Sequence, residues 1–210
     1  MGALTIKPLQ FLADRLTSTP ETTAELAERI AELDGLIQQS VSVVGNASSL
    51  LSRSFGQQID CRQTIRFNSA QIVAPDAQGE RWDLLATSNR ATLRYYRESP
   101  PRFSRMLFTA YKNRHLVALE EIGASVPVTL YPMRMSRDLS WRLRARPTVG
   151  MQVLVLLAAL KRADVHIFGF DWKATPTFYD PERGSDPHRH DRERALAAEL
   201  IESNGWTVYT

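Results

Sequence analysis

Val41-Ser42-Val43-Val44-Gly45-Asn46-Ala47-Ser48-Ser49 runs from a short apolar stretch into Gly, then Asn, then hydroxyls, with Leu50 and Leu51 behind them. β-branched residues favour a strand, Gly-Asn ends it, and the leucine pair is placed to begin a helix. The same texture recurs along the chain. Thr64–Phe67, Trp82–Ala86, Leu116–Leu119, Val128–Tyr131, Val165–Phe168 and Thr207–Tyr209 also read as strands. Helices are expected near Ser99–Lys112, Thr148–Lys161 and Asp191–Ser203. Alternating strands and helices predict an α/β fold: a single Rossmann-like, three-layer domain with a mostly parallel sheet. In such sheets ligands bind beyond the carboxyl ends of the strands, so chemistry is to be sought just after each one.

Outward from that core, Ser18-Thr19-Pro20-Glu21 has the form of a capping box, and Leu26, Ile30, Leu33 and Ile37 follow at helical spacing. Pro20–Gln39 is therefore expected to be an amphipathic helix. Residues 1–40 then form a helical segment packed on a domain of residues 41–210. Arg134–Arg146, dense in Arg and Ser after Pro132, reads as a mobile loop. At 210 residues with 43% hydrophobic composition, the chain is long enough for one real core and too short for two full enzyme domains. Met151–Leu160 is half a membrane span, Met1–Thr17 lacks a signal-peptide layout, and Cys61 is the only cysteine. A cytoplasmic protein is the expectation. Arginine outnumbers lysine 22 to 4 at a net charge of +3. The arginines are dispersed, with no interleaved aromatic stripe, which argues against nucleic acid as a partner.

Four segments carry candidate chemistry. Gly45 lets a backbone approach a ligand closely, and the amides and hydroxyls of Asn46 and Ser48 suit phosphate or ribose oxygens; a plain turn is the competing reading. Arg66-Phe67-Asn68 puts a cation and an amide on one side of a strand end, or is simply a surface Arg and a strand-terminating Asn. Pro147-Thr148-Val149-Gly150 precedes an apolar helix whose first-turn amides form an anion site, or is ordinary capping. Asp186-Pro187-His188-Arg189-His190-Asp191-Arg192-Glu193 offers a metal site or a single histidine base at a helix start. The spacing fits the base better, because no Cys and no Asp-x-Asp stand nearby.

In this order the four segments resemble the sialyl motifs of the eukaryotic-type sialyltransferases. Val43–Ser48 through Ile59-Asp60 to Arg66-Phe67-Asn68 is similar to the large motif. Pro147–Met151 continuing to Asp164–Phe170 is similar to the small motif, and His188 with Glu193 to the very small one. The bacterial capsule and lipooligosaccharide sialyltransferases share the same skeleton. The likeness spans roughly residues 41–89 and 146–210 and leaves the middle unmatched.

The resemblance implies a variant of the GT-A fold and an inverting, metal-independent transferase that takes a CMP-sugar as co-substrate, with no cofactor. Gly45, Asn46, Ser48, Arg66, Asn68, Thr148, Val149 and Gly150 would bind the nucleotide, His188 would be the base, and Glu193 would orient it. The eukaryotic motifs each carry a paired cysteine, whereas Ser42 and Ala145 stand near those places here, which favours a bacterial enzyme. The third motif appears as Thr177-Phe178-Tyr179-Asp180 without its histidine. Alignment on the bacterial Gly169-Phe170-Asp171 puts Lys173 and Tyr179 where two tyrosines would meet the leaving phosphate. The donor is expected to be CMP-sialic acid or CMP-Kdo. The acceptor is expected to be a glycan or glycolipid, with peripheral contact at the inner face of a membrane. A non-catalytic nucleotide- or glycan-binding domain on the same fold is the rival reading.

Overall fold

The computed structural model describes residues 21–69, 71–89, 92, 102–109, 126–172, 174–179 and 188–210. In chain order the elements are α1 (Thr23–Leu36), β1 (Ser40–Val44), a 3-10 turn (Ser48–Ser52), α2 (Gly56–Asp60), β2 (Gln63–Phe67), α3 (Pro75–Gln78) and β3 (Leu84–Thr87). These are followed by β4 (Arg105–Phe108), β5 (Val128–Leu130), α4 (Met133–Leu143), α5 (Val149–Ala159), β6 (Asp164–Phe168), α6 (His190–Asn204) and β7 (Thr207–Tyr209). The seven strands pair in the order β5-β4-β3-β2-β1-β6-β7, and each described pair is parallel.

That order carries a direction reversal. From β1 the chain steps outward through β2 to β5, then returns to β1's other side as β6 and β7. Right-handed crossovers put helices on one face during the outward steps and on the opposite face afterwards. Side-chain alternation confirms it. Val41 and Val43 of β1, with Ile65, Ala86, Leu107 and Ile167, share a core with side chains of α1, α4, α5 and α6. Val44 and Phe168 point the other way, onto Leu50 of the 3-10 turn and Ile59 of α2. The result is a three-layer α/β domain. Both faces of the sheet are covered, so β2 is buried at all five positions and reads as an unbroken run rather than an alternation. The strand order reverses between β1 and β6, and a crevice opens beyond their carboxyl ends.

At the amino-terminal side, the cap of α1 is Thr22. Its hydroxyl accepts from Glu25 N at 3.2 Å, and Glu25 Oε2 accepts from Thr22 N at 2.7 Å. The helix starts at Thr23, and Ser18 of the expected box lies outside the described residues. Leu33 and Ile37 are buried in the main core. Arg162, itself 3% exposed, donates from Nη2 to the carbonyls of Asp34 and Ile37 at 2.7 Å each, which fastens the end of α1 to the start of β6.

Two expectations are corrected. Arg105–Phe108, expected inside a Ser99–Lys112 helix, is β4. Met106 and Phe108 pack on Trp82 and Leu85, while Leu107 faces the main core. Apolar burial on both faces erased the two-residue period that would have marked a strand. Arg134–Arg146, expected as a loop, is mostly α4: Ser136, Leu139 and Leu143 form a narrow buried stripe under an arginine-rich outer surface. The strand expected at Leu116–Leu119 lies outside the described residues.

Candidate active site

The crevice at the β1–β6 reversal is a cleft of about 860 Å³, within the usual range for a small-molecule site. Gly45 sets its floor. Its N–H donates to Phe168 O at 2.7 Å, and a Cβ built on it would stand 2.2 Å from Gly169 O. Only glycine lets the two strand ends approach so closely. Phe170 lies beside this floor, in edge contact with Phe67 at 5.7 Å, and its ring would meet a Cβ on Gly150 at 2.9 Å. Gly45 and Gly150 thus both make room for Phe170, a residue the sequence reading quoted in two motifs and gave no role.

Asn46 is held on two sides. Its Nδ2 donates to Phe67 O at 3.0 Å and to the Tyr179 hydroxyl at 3.3 Å. Behind it, residues 176–178 zip against the turn: Ser48 N donates to Pro176 O, Phe178 N to Asn46 O, and Ala47 bridges Thr177. Asp171 locks this seam, with Oδ2 accepting from Ser49 Oγ at 3.2 Å and from Thr175 N at 2.9 Å, and also from the Thr175 hydroxyl. This seam brings Tyr179 to the cleft wall. Ser48 itself is not among the lining residues, and its amide is committed to Pro176. Lys173 lies outside the described residues.

Asn68 reaches the cleft and Arg66 does not. Asn68 sits in the left-handed region at φ +54°, where asparagine is tolerated, and its Oδ1 accepts from Thr87 Oγ1 at 3.1 Å. Arg66 is 2% exposed, with its guanidinium donating to the carbonyls of Arg81 at 2.9 Å and Gln78 at 2.7 Å. Burial lowers its pKa to about 10 against the opposing pull of Asp60 and Asp83, so it remains charged at neutral pH. Arg66 is a fastener between β2 and the 78–81 turn, and the expectation that it faces the ligand beside Asn68 is corrected. Arg66→Ala should cost about 3 kcal/mol in denaturant unfolding, because buried carbonyls lose their donors. It should leave nucleotide affinity of the folded protein unchanged; lost affinity at full stability would return Arg66 to the ligand.

On the opposite wall, Thr148 caps α5, its hydroxyl accepting from Met151 N at 3.1 Å. Its N–H and O–H donate to the two oxygens of Glu193, at 2.7 and 2.8 Å. Glu193 is 1% exposed, so a buried carboxylate ties α6 to the cap of α5. Val149 and Gly150 follow with first-turn backbone at the cleft. His188 also lines the cleft, and its Nδ1 lies 2.7 Å from Arg146 O. A carbonyl only accepts, so Nδ1 carries the proton and Nε2 is left as the basic nitrogen. The contact that fixes this tautomer comes from Arg146, which sequence reasoning missed. Glu193, expected to orient the imidazole, acts further back by fixing the cap two residues after Arg146. His190 begins α6 with its ring 5.9 Å from that of His188. Among the described residues, no three His, Cys, Asp or Glu side chains converge as a metal-ligand group.

No family model and no curated protein sequence matches the chain. Solved structures do. A mammalian sialyltransferase superposes at a TM-score of 0.64 with 17% identity, over 99% of this chain and 87% of that one. The Campylobacter jejuni sialyltransferase CstII in complex with CMP-3FNeuAc matches at 0.57 and 13%, over 82% and 80%. An α-2,3-sialyltransferase from Campylobacter jejuni in apo form matches at 0.57 and 14%, over 83% and 77%. The chain has the sialyltransferase fold. Within that sialyltransferase fold, the four segments singled out in the sequence, distant from one another along the chain, line a single cleft: Gly45 and Asn46, Asn68, Thr148 to Gly150, and His188. Ser42 Oγ donates to Ile59 O at 2.9 Å, a hydrogen bond between β1 and α2. Among the described residues no helix is long and apolar enough to cross a membrane.

Proposed function

We propose that this chain is an inverting glycosyltransferase that moves an acidic sugar from a CMP-sugar to a hydroxyl of a glycan or glycolipid. The observation that carries the reading is His188: a cleft-lining imidazole whose Nδ1 donates to Arg146 O, an orientation in which Nε2 is the ring nitrogen that would take a proton. Asn46 and Tyr179 form a hydrogen-bonded pair in the same cleft, which the first turn of α5 also lines. Structures of Campylobacter jejuni CstII contain CMP-3FNeuAc and cytidine 5′-monophosphate, which supports a CMP-sugar as donor.

In this mechanism the acceptor oxygen attacks the anomeric carbon from the side opposite the phosphate. Its proton passes to Nε2 of His188. The bond from the anomeric carbon to the phosphate oxygen breaks, and the electron pair departs with CMP, inverting the carbon. A phosphate monoester is already a good leaving group, so hydrogen bonds from Tyr179 and the α5 amides suffice without a metal. Sialic acid and Kdo share the carboxylate, the ketosidic carbon and the CMP leaving group, so either sugar satisfies this chemistry.

Release of CMP from CMP-sialic acid and from CMP-Kdo, with and without acceptor, tests the reading. Release should rise with acceptor, be indifferent to a chelator, and accompany calorimetric preference for CMP and CDP over UDP and GDP. CMP binding with no release from either donor would instead mark a non-catalytic nucleotide-binding domain. A chelator-sensitive preference for UDP or GDP would overturn the assignment.

A further inference from the structure

Trp172 stands in a backbone conformation that does not suit it. Ala174 N donates to Asp171 O at 3.0 Å and closes a turn with Trp172 at its second position, at φ +55°. Glycine, asparagine and aspartate take that place in ordinary turns, and a bulky residue there is strained. The other positive-φ side chains among the described residues have a local reason. Asn68 is of the tolerant type, Arg144 ends α4 and Lys161 follows α5. Asp171 holds the turn in place by accepting from Ser49 Oγ and from Thr175 N. Strain kept at a cleft points to a side chain whose position matters there.

The indole is half-buried and lines the cleft. An edge contact with Phe170, ring centroids 5.7 Å apart, and packing against the core beneath α5 and α6 hold the ring. We infer that Trp172 is the platform on which the acceptor's terminal sugar stacks. A pyranose has an apolar C–H face and a polar rim, and an indole face buries the first while leaving the second free for hydrogen bonds. That the sugar here is the acceptor's rests on the transfer reaction proposed above. His188, which would take the acceptor proton, lines the same cleft two residues before α6, held by the carbonyl two residues before the cap of α5. Trp172 is anchored to the core beneath those same two helices.

Binding to an array of glycans with CMP at saturation tests the assignment, because it needs no turnover. The parent should bind a defined set of sugars. Trp172→Asn, whose side chain suits the turn, should bind them about 10-fold more weakly, and Trp172→Phe should restore most of the difference. Both variants should keep the parent's CMP affinity and thermal midpoint, relieved strain offsetting lost packing in the first. Trp82 and Trp206 are buried and Trp141 lies on α4 outside the cleft. A change in tryptophan fluorescence on adding a bound sugar should therefore vanish in Trp172→Phe. Equal sugar binding in the parent and Trp172→Asn, or no sugar binding by the parent, overturns the inference. So does a loss of CMP affinity with sugar binding kept, which would give the ring to the nucleobase. If Trp172→Asn fails to fold, the parent's fluorescence decides, and no change on binding sugar refutes the platform. Sugar binding that depends on Trp172 in a chain that releases no CMP from either donor would leave the platform intact and remove only the transfer reading.

Discussion

His188→Ala is expected to lower turnover by about 100- to 10,000-fold, the usual loss on removing a general base. Folding and CMP affinity should stay near the parent values. The reasoning is geometric. Arg146 O holds the imidazole from one side, at 2.7 Å from Nδ1, and so sets the ring against the cleft. The side chain is only partly buried, so its removal leaves no large void in the core. His190 also borders the cleft, but it begins α6 and its ring is 5.9 Å away. His190→Ala should cost far less. Steady-state rates with either CMP-sugar, alongside CMP titration by calorimetry, decide the matter. A severe loss in the His190 variant with none in the His188 variant would move the base by two residues.

Gly45→Ala should cost roughly 3 to 5 kcal/mol and abolish nucleotide binding in whatever remains folded. A methyl here would stand 2.2 Å from Gly169 O and 2.9 Å from Phe170 Cδ2. The first neighbour is backbone and cannot swing aside. The ends of β1 and β6 would have to part, breaking the 2.7 Å bond from Gly45 N to Phe168 O. Denaturant unfolding and CMP calorimetry on the same preparation measure both effects. Gly35→Ala, with nothing within 4 Å of the added methyl, is the control that should leave both near the parent. Normal stability in the Gly45 variant would refute the close approach.

The parts of this fold that were legible in the sequence are those where one local pattern answers to one environment. β1 and β2 are short runs buried almost throughout, β6 carries buried Val165, Ile167 and Phe168 behind an exposed Asp164, and each was read to within a residue of its observed bounds. α5 announces itself by a Thr cap and an apolar run, and α6 by the acids of its first turn. Failures came where the pattern is ambiguous. Arg105–Phe108 has no alternation because Met106 and Leu107 are both buried, on opposite faces of the sheet. In α4 the buried stripe is only three residues wide, and the surrounding Arg and Ser hid it.

At the cleft, the sequence disclosed residue types at strand and helix ends but not where their side chains turn. Arg66 and Asn68 are two apart, yet the first folds back on the 78–81 carbonyls while the second follows a left-handed backbone step. The part played by Arg146 is carried by its carbonyl, which every residue but its neighbours' geometry leaves anonymous. Phe170 could have been found: an aromatic directly after a glycine at a strand end has to lie against something small, and Gly45 and Gly150 were both already in view.

The buried Glu193 carboxylate fastens α6, which follows His188, to the cap of α5. Heredity feels that bond as a constraint. A substitution that tilts α6 to reshape the cleft drags Thr148 with it and moves the first turn of α5 as well. Innovation along this wall is therefore taxed twice. Ser88, at the end of β3, is tied to the same wall by Arg146 Nη2 at 3.2 Å, so a change there reaches the residue that holds His188. Lineages that drift along this wall should inherit Glu193 and Thr148 as a pair.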